Sequence, residues 1–331
     1  MKNLKEKTLT FVLSSLSLTN TFGQHPGGQT KVVAITEIVS HPSLEAAREG
    51  ALGALQALGY EEGKNLKVLF ESAQGDISLA ASIAKKFAHR NPPPDVIIPI
   101  STPSAQTVLK ATAGLKQPIP IVFSSVSDPV GAGLVKDLQE KNGRIIGIMD
   151  SPNLHEELEV VKEVVPNLKT LGLLYNAGEA NSAKTIAALK SLAGKSVRLE
   201  EVTIVASRDL GDAVRTLVNK QVQAIFIPLD NTVNSAIAQL IKLCKQYKVP
   251  VFTCDPGNVK MGAFACYGYS QTQVGYKAGV LAGRILKGER ISDLRIETPG
   301  DATVYINRTT AQAIGIPVPE KIKGRKVEFY D

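Results

Sequence analysis

Ser101, Thr102 and Ser104 stand directly behind DVIIPI (95–100), a run too short to span a membrane and apolar enough to be a strand buried on both faces. Thr102 is a helix-capping residue type, and Pro103 suits the first helical position. A strand therefore runs straight into a helix N-terminus, where free backbone N–H groups and the dipole favour an anion, and three hydroxyls add donors. QAIFIPLDNTVN (223–234) repeats the arrangement, with Asp230, Asn231 and Thr232 at the turn. The sequel repeats too. PIPIVFSSVSDP (118–129) carries Phe123, Ser125, Ser127 and Asp128 behind a strand, and KVPVFTCDPG (248–257) carries Asp255. Asp255 or Asp230 supplies what the serines lack, a carboxylate able to pair with an ammonium once water is excluded.

Apolar strands alternating with amphipathic helices must position these residues. KVVAI (31–35) precedes a helix whose Leu44, Ala47, Ala51, Leu55 and Leu58 form one stripe. NLKVLFES (65–72), the run at 95–100 and IPIVF (119–123) continue the series, which Ser124–Pro129 interrupts. RIIGIM (144–149) starts a second series. TLGLLY (170–175), SVRLEEVTI (196–204), AIFIPL (224–229) and VPVFT (249–253) follow, with a single helix expected over 231–247. Repeated βα units with short loops imply parallel sheets with helices on both faces. Ligands sit beyond the carboxyl ends of such strands. There the chain places Glu37, Ser101/Thr102/Ser104, Ser125/Ser127/Asp128, Tyr175/Asn176/Glu179, Asp230/Asn231/Thr232 and Asp255. Each is also a residue type that caps helices or makes turns for local reasons; their convergence is what suggests a site.

At 331 residues the chain exceeds the usual single core, so two domains are expected. Hydrophobic content of 44% and charged content of 21% fit an ordinary globular protein. Residues 1–23 read as a signal peptide: Lys2, Lys5 and Lys7, then TLTFVLSSLSL (8–18), then small residues. The protein is then periplasmic or secreted, and losing three Lys and one Glu lowers the net charge from +7 to +5. The remaining Lys and Arg are scattered, which argues against nucleic acid. Cys244, Cys254 and Cys266 show no metal spacing. Two readings stay open: a Cys254–Cys266 disulfide, or three buried thiols. VGAGLV (130–135) lacks the third Gly of a dinucleotide fingerprint, and neither G-x-x-x-x-G-K nor G-x-S-x-G occurs. No cofactor, metal or catalytic residue is expected. His41-Pro42 reads as the turn that opens the first helix.

The segments ITEIVSHPSLEAAREG (35–50), STPSAQ (101–106), FSSVSDPVGAGLV (123–135), LDNTV (229–233) and CDPG (254–257) together resemble the ABC-transporter substrate-binding family related to tryptophan- and tyrosine-binding proteins. The resemblance implies an α/β type I periplasmic-binding fold: two doubly wound parallel-sheet lobes, three hinge crossings and a ligand clamped between them. It also implies an ABC permease as partner. Crossings are expected near Ser124–Ser127, Tyr267–Gln271 and Thr298–Asp301, which assigns 30–124 plus 268–298 to one lobe and 125–267 plus 299–331 to the other. The expected function is a monomeric receptor that catalyses nothing. Its ligand is an amino acid with the carboxylate at Ser101–Ser104 and the ammonium at Asp255 or Asp230. The side chain lies against Tyr175, Phe123 or Tyr269, which favours an apolar or aromatic one. A secreted α/β hydrolase and a ligand-sensing regulator core are the rival readings.

Overall fold

The computed structural model describes residues 29–140, 143–194, 196–319, 322 and 324–331; the segment read as a signal peptide lies outside them. The chain opens with β1 (Lys31–Glu37), α1 (Pro42–Ala57), β2 (Leu66–Ser72), α2 (Ile77–Ala88), β3 (Val96–Ile100), α3 (Thr102–Thr112), β4 (Ile121–Val126) and β5 (Ile145–Met149). These five strands form one sheet in the order β2-β1-β3-β4-β5, with every pair parallel. Ile35, Ile98, Phe123 and Ile148 are fully buried in its core, as continuous apolar strands between helical layers require.

Next come α4 (Leu154–Val164), β6 (Thr170–Tyr175), α5 (Ala180–Ala193), β7 (Arg198–Thr203), α6 (Leu210–Asn219), β8 (Ala224–Ile227), α7 (Asn231–Asn234) and α8 (Ile237–Gln246). After these follow β9 (Val251–Thr253), α9 (Pro256–Lys260), β10 (Ala265–Gly268), α10 (Gln271–Leu286), β11 (Thr303–Asn307), α11 (Arg308–Ile314) and β12 (Val327–Tyr330). The second sheet runs β12-β11-β10-β9-β8-β6-β7, and only its β10–β11 pair is antiparallel. Its β7-β6-β8-β9-β10 portion has the same order as the whole first sheet. The repeat read from 95–129 and 223–257 is thus a repeat of topology, and each sheet has a switch point where ligands collect: β1/β3 in one, β6/β8 in the other.

Two expectations need correction, and one open choice is decided. The chain does not leave the first sheet at Ser124–Ser127. Ser125 takes a left-handed φ of 54° and the β4–β5 register shifts there, so the polar interruption is a bulge. Ile145, Ile146 and Ile148 pack in the first core, and the chain departs only after Met149. Residues 125–140 and 143–149 therefore go with the first sheet. It crosses at 150–153, returns at 269–270 to lay α10 on the first core, and crosses again at 298–302, after Glu297 has bridged to Ile148. Second, the helix expected over 231–247 is two helices, because Ala236 (φ −131°) breaks the turn between α7 and α8. The open choice falls to three buried thiols, for all three cysteines are free and buried. Cys254 packs in one core of the second sheet and Cys266 in the other, on opposite faces, so they cannot be bridged.

Helix α10 reaches its place by close packing. A Cβ on Gly275 would lie 1.8 Å from the Ala47 carbonyl oxygen, and one on Gly279 would lie 2.3 Å from that of Ala51. Glycine is required at both positions, and the contact sets the N-terminus of α10, with Gln271, beside α1 at the junction of the sheets.

Candidate functional site

The strand ends of both sheets meet around one cavity. The first sheet contributes His41, Ser43 and Leu44 from the start of α1, Ser101 and Thr102 from the start of α3, and Ser125 and Ser127 from the end of β4. The second contributes Asn181 of α5, Leu229, Asn231, Asn234 and Asp255; the crossing after β5 contributes Asp150, and the start of α10 contributes Gln271. Ser101, Thr102, Ser125, Ser127, Asn231 and Asp255 were expected from the sequence.

The wall from α3 and β4 carries no charge. Ser101 sits at φ 89° and donates its N–H to the Ser124 carbonyl (3.0 Å), while its hydroxyl reaches Ser104 (3.3 Å), which stands behind it. Two non-glycine residues, Ser101 and Ser125, hold left-handed backbone on this wall. Strain of this kind persists only where the surroundings fix it. The first-turn N–H groups of α3 lack intrahelical acceptors, and no acidic side chain occupies that turn.

Two carboxylates complete the cavity, Asp255 on the facing wall and Asp150 at the crossing beside β4, where its N–H donates to the Val126 carbonyl (2.9 Å). Asp255 is fully buried; it caps α9 through the Gly257 N–H (2.8 Å) and accepts from the Ser43 hydroxyl across the cleft. Burial pushes its carboxyl up. Asp150 accepts from Gln271 Nε2 (2.7 Å), and Gln271 Oε1 accepts from Ser125 Oγ (3.0 Å), so a polar chain ties the hinge to β4. Burial, and then the neighbouring Asp255, push Asp150 up to about 7. No lysine or arginine among the described residues lines the cavity to offset these two carboxylates. Burial also lowers His41 to about 4, so its imidazole is neutral at pH 7.

The other expected residues lie elsewhere. Glu37 is held by Ser40 Oγ (2.5 Å) and Arg48 (3.2 Å). Phe123 is fully buried in the first core, against which Tyr269 also packs. Tyr175 sends its hydroxyl to Glu201 (2.9 Å), away from the cavity, and is otherwise core. Asp128 pairs with Lys184 of α5, across the cleft but outside the cavity. Glu179 accepts from the Asn231 N–H (3.1 Å), Asn231 Nδ2 (2.6 Å), the Thr232 N–H (2.9 Å) and Thr232 Oγ1 (2.8 Å). Asp230 accepts from the Asn176 N–H (2.7 Å) and caps Val233 (2.9 Å), and Asn176 Nδ2 reaches Thr232 Oγ1 (2.8 Å). Burial and the adjacent Glu179 raise Asp230 to about 7. These four residues, Asn176, Glu179, Asp230 and Thr232, form the frame that holds Asn231 and Asn181; they do not line the cavity.

His41, Ser43, Leu44, Asp150, Asn181, Leu229, Asn234 and Gln271 were missed. Pro at the start of α1 was visible, yet His41 makes no side-chain cap bond there and is turned into the cleft instead. Asp150 follows a strand, as the expected candidates do, but that strand had been assigned to the other series.

The ABC transporter substrate binding protein family matches residues 32–329. The tyrosine-binding protein of Clostridioides difficile (strain R20291) is 36% identical over 300 residues, covering 90% of this chain and 84% of that one. A Streptococcus pneumonia structure, an ABC domain in complex with L-Trp, superposes with a TM-score of 0.83 at 28% identity, covering 91% of this chain and 100% of that one. The ligand-free, open structure of a substrate-binding protein with adhesive properties from Clostridium difficile, at 36% identity and the same coverage, superposes with a TM-score of 0.65. Among the described residues, no cluster of three or more His, Cys, Asp or Glu could hold a metal ion, and no helix is long and apolar enough to cross a membrane.

Proposed function

Because the chain belongs to the ABC transporter substrate-binding protein family, we propose that it is the exported receptor of an importer, clamping a free amino acid between its two lobes. Members of this family are substrate-binding proteins and not enzymes, so the hydrolase reading is set aside. One observation carries the amino-acid assignment: one cavity joins a hydroxyl-lined helix N-terminus to two buried carboxylates without a cationic side chain. The ligand's α-carboxylate lies at Ser101 and Thr102, against N–H groups and hydroxyls. Its ammonium lies between Asp255 and Asp150, where an unpaired buried charge would otherwise be costly. Leu44 and Leu229 give the side chain its apolar surface, in place of Tyr175, Phe123 and Tyr269.

Release and capture work by rotation about the three crossings. The chain superposes better on a relative described as bound to L-Trp than on one described as open, although it is more similar in sequence to the latter. That difference supports reading the arrangement as the closed one. Closure buries the ligand and builds the surface that a permease would recognise, with the protein acting as a monomer in the periplasm or outside the cell. Calorimetry against the twenty amino acids, followed by Asp255→Ala and Thr102→Val, tests the assignment. Binding by none of them, or undiminished binding by both variants, would overturn it.

A further inference from the structure

Three side-chain polar atoms of the cavity-lining residues have no hydrogen-bond partner: Ser127 Oγ, a hydroxyl on the uncharged wall that can donate to the α-carboxylate, and His41 Nδ1 and Asn181 Oδ1, which are left over once the α-carboxylate and α-ammonium have been seated. The residues of the latter two are only 5% and 7% exposed. Their chemical character is fixed by neighbours. Asn181 Nδ2 donates to the Leu229 carbonyl (2.6 Å), which can only accept, so the atom facing the cavity is the amide oxygen. Asn231 Nδ2 donates to Glu179 (2.6 Å), so Asn231 Oδ1 is the atom that meets His41 Nε2 (3.4 Å). His41 Nε2 therefore carries the proton, and the neutral ring turns the Nδ1 lone pair to the cavity. Two acceptors point into the site, both anchored through Glu179, which also receives Asn181 Nδ2 (3.3 Å).

The ammonium does not account for them. Asp150 feels the charge of Asp255 at the hinge end, while His41 and Asn181 are tied to the α5–α7 frame. We propose that His41 Nδ1 and Asn181 Oδ1 are specificity determinants that accept a hydrogen bond from the ligand's side chain, so that the preferred amino acid carries an O–H or N–H donor. This rests on the amino-acid reading above. A site built to pair such a donor rejects the isostere lacking it far more strongly than an apolar pocket rejects a missing methylene, because the buried acceptors are left empty.

The test is competition calorimetry on the whole protein with tyrosine, tryptophan and threonine set against phenylalanine, leucine and valine. The tightest of the six should be tyrosine, tryptophan or threonine, and it should exceed its donor-free counterpart by about 100-fold. In Asn181→Leu that ratio should fall to about tenfold or less, with the donor-free ligand's own affinity much less changed. If phenylalanine, leucine or valine binds tightest, or the Asn181→Leu ratio stays at the wild-type value, the proposal is overturned while the amino-acid reading stands. If none of the six nor any other amino acid binds, that reading falls and takes the proposal with it.

Discussion

The two walls of the cavity descend from one topological unit, yet they read opposite charges. The β3–α3 turn presents Ser101 and Thr102 at the N-terminus of an eleven-residue helix, on backbone bent into a left-handed φ at Ser101. Its counterpart, the β8–α7 turn, spends Asp230 on capping a helix of four residues and exposes Asn231 instead. Asp255, at the end of β9, then supplies the charge that the matching position on β4, with its small serines, does not. Identical strand order fixes where side chains meet, and the residues at the strand ends fix which half of a zwitterion each wall takes. The walls also differ in redundancy. An anion is held by several N–H groups and hydroxyls, each replaceable, whereas the cation depends on two carboxylates.

That asymmetry ranks the expected effects. Asp255→Ala removes a charged partner from a fully buried site and should weaken binding by about 2–5 kcal/mol by calorimetry. Next comes pH. In this closed arrangement burial pushes Asp150 up to about 7, and a neighbouring ammonium favours its ionised form. The complex then holds fewer protons than the free protein below pH 7, so affinity should fall as pH drops from 7 towards 5, by up to about tenfold per unit. Asp255, also raised, acts in the same direction, and Gln271 is the neutral partner of Asp150. Asp150→Asn should flatten the profile; an unchanged slope would mean that Asp150 does not sense the ligand. On the redundant wall, Thr102→Val should cost only about 1 kcal/mol. A loss equal to that of Asp255→Ala would erase the contrast between the walls. Lys184→Ala, which cuts the exposed cross-cleft pair with Asp128, should change affinity by at most about 1 kcal/mol, and less at high salt.

How much of this was legible depended on whether the signal was local. Apolar runs and their punctuation specified the strands, the repeated topology and the helix N-terminus at Thr102, because capping chemistry is read within a few residues. Burial is not local. Glu179 and Asp230 look like ligand residues in sequence, but five donors from α5 and α7 converge on Glu179 and make it part of the frame. His41 looked like a turn former, and only its contact with Asn231, 190 residues away, shows it facing the cleft. Ser124–Ser127 was read as a lobe boundary because a bulge and a hinge use the same small polar residues; the pairing of Val126 with Met149 separates the two.

The central claim is that one cavity grips both ends of an amino acid. The direct measurement is calorimetry of the wild-type protein with its tightest amino acid, that amino acid's methyl ester and its N-acetyl derivative. The ester leaves α3 without its anion and the acetyl group leaves Asp150 and Asp255 without their cation, so each should bind at least about 100-fold more weakly. Equal affinity for either blocked form would contradict the account.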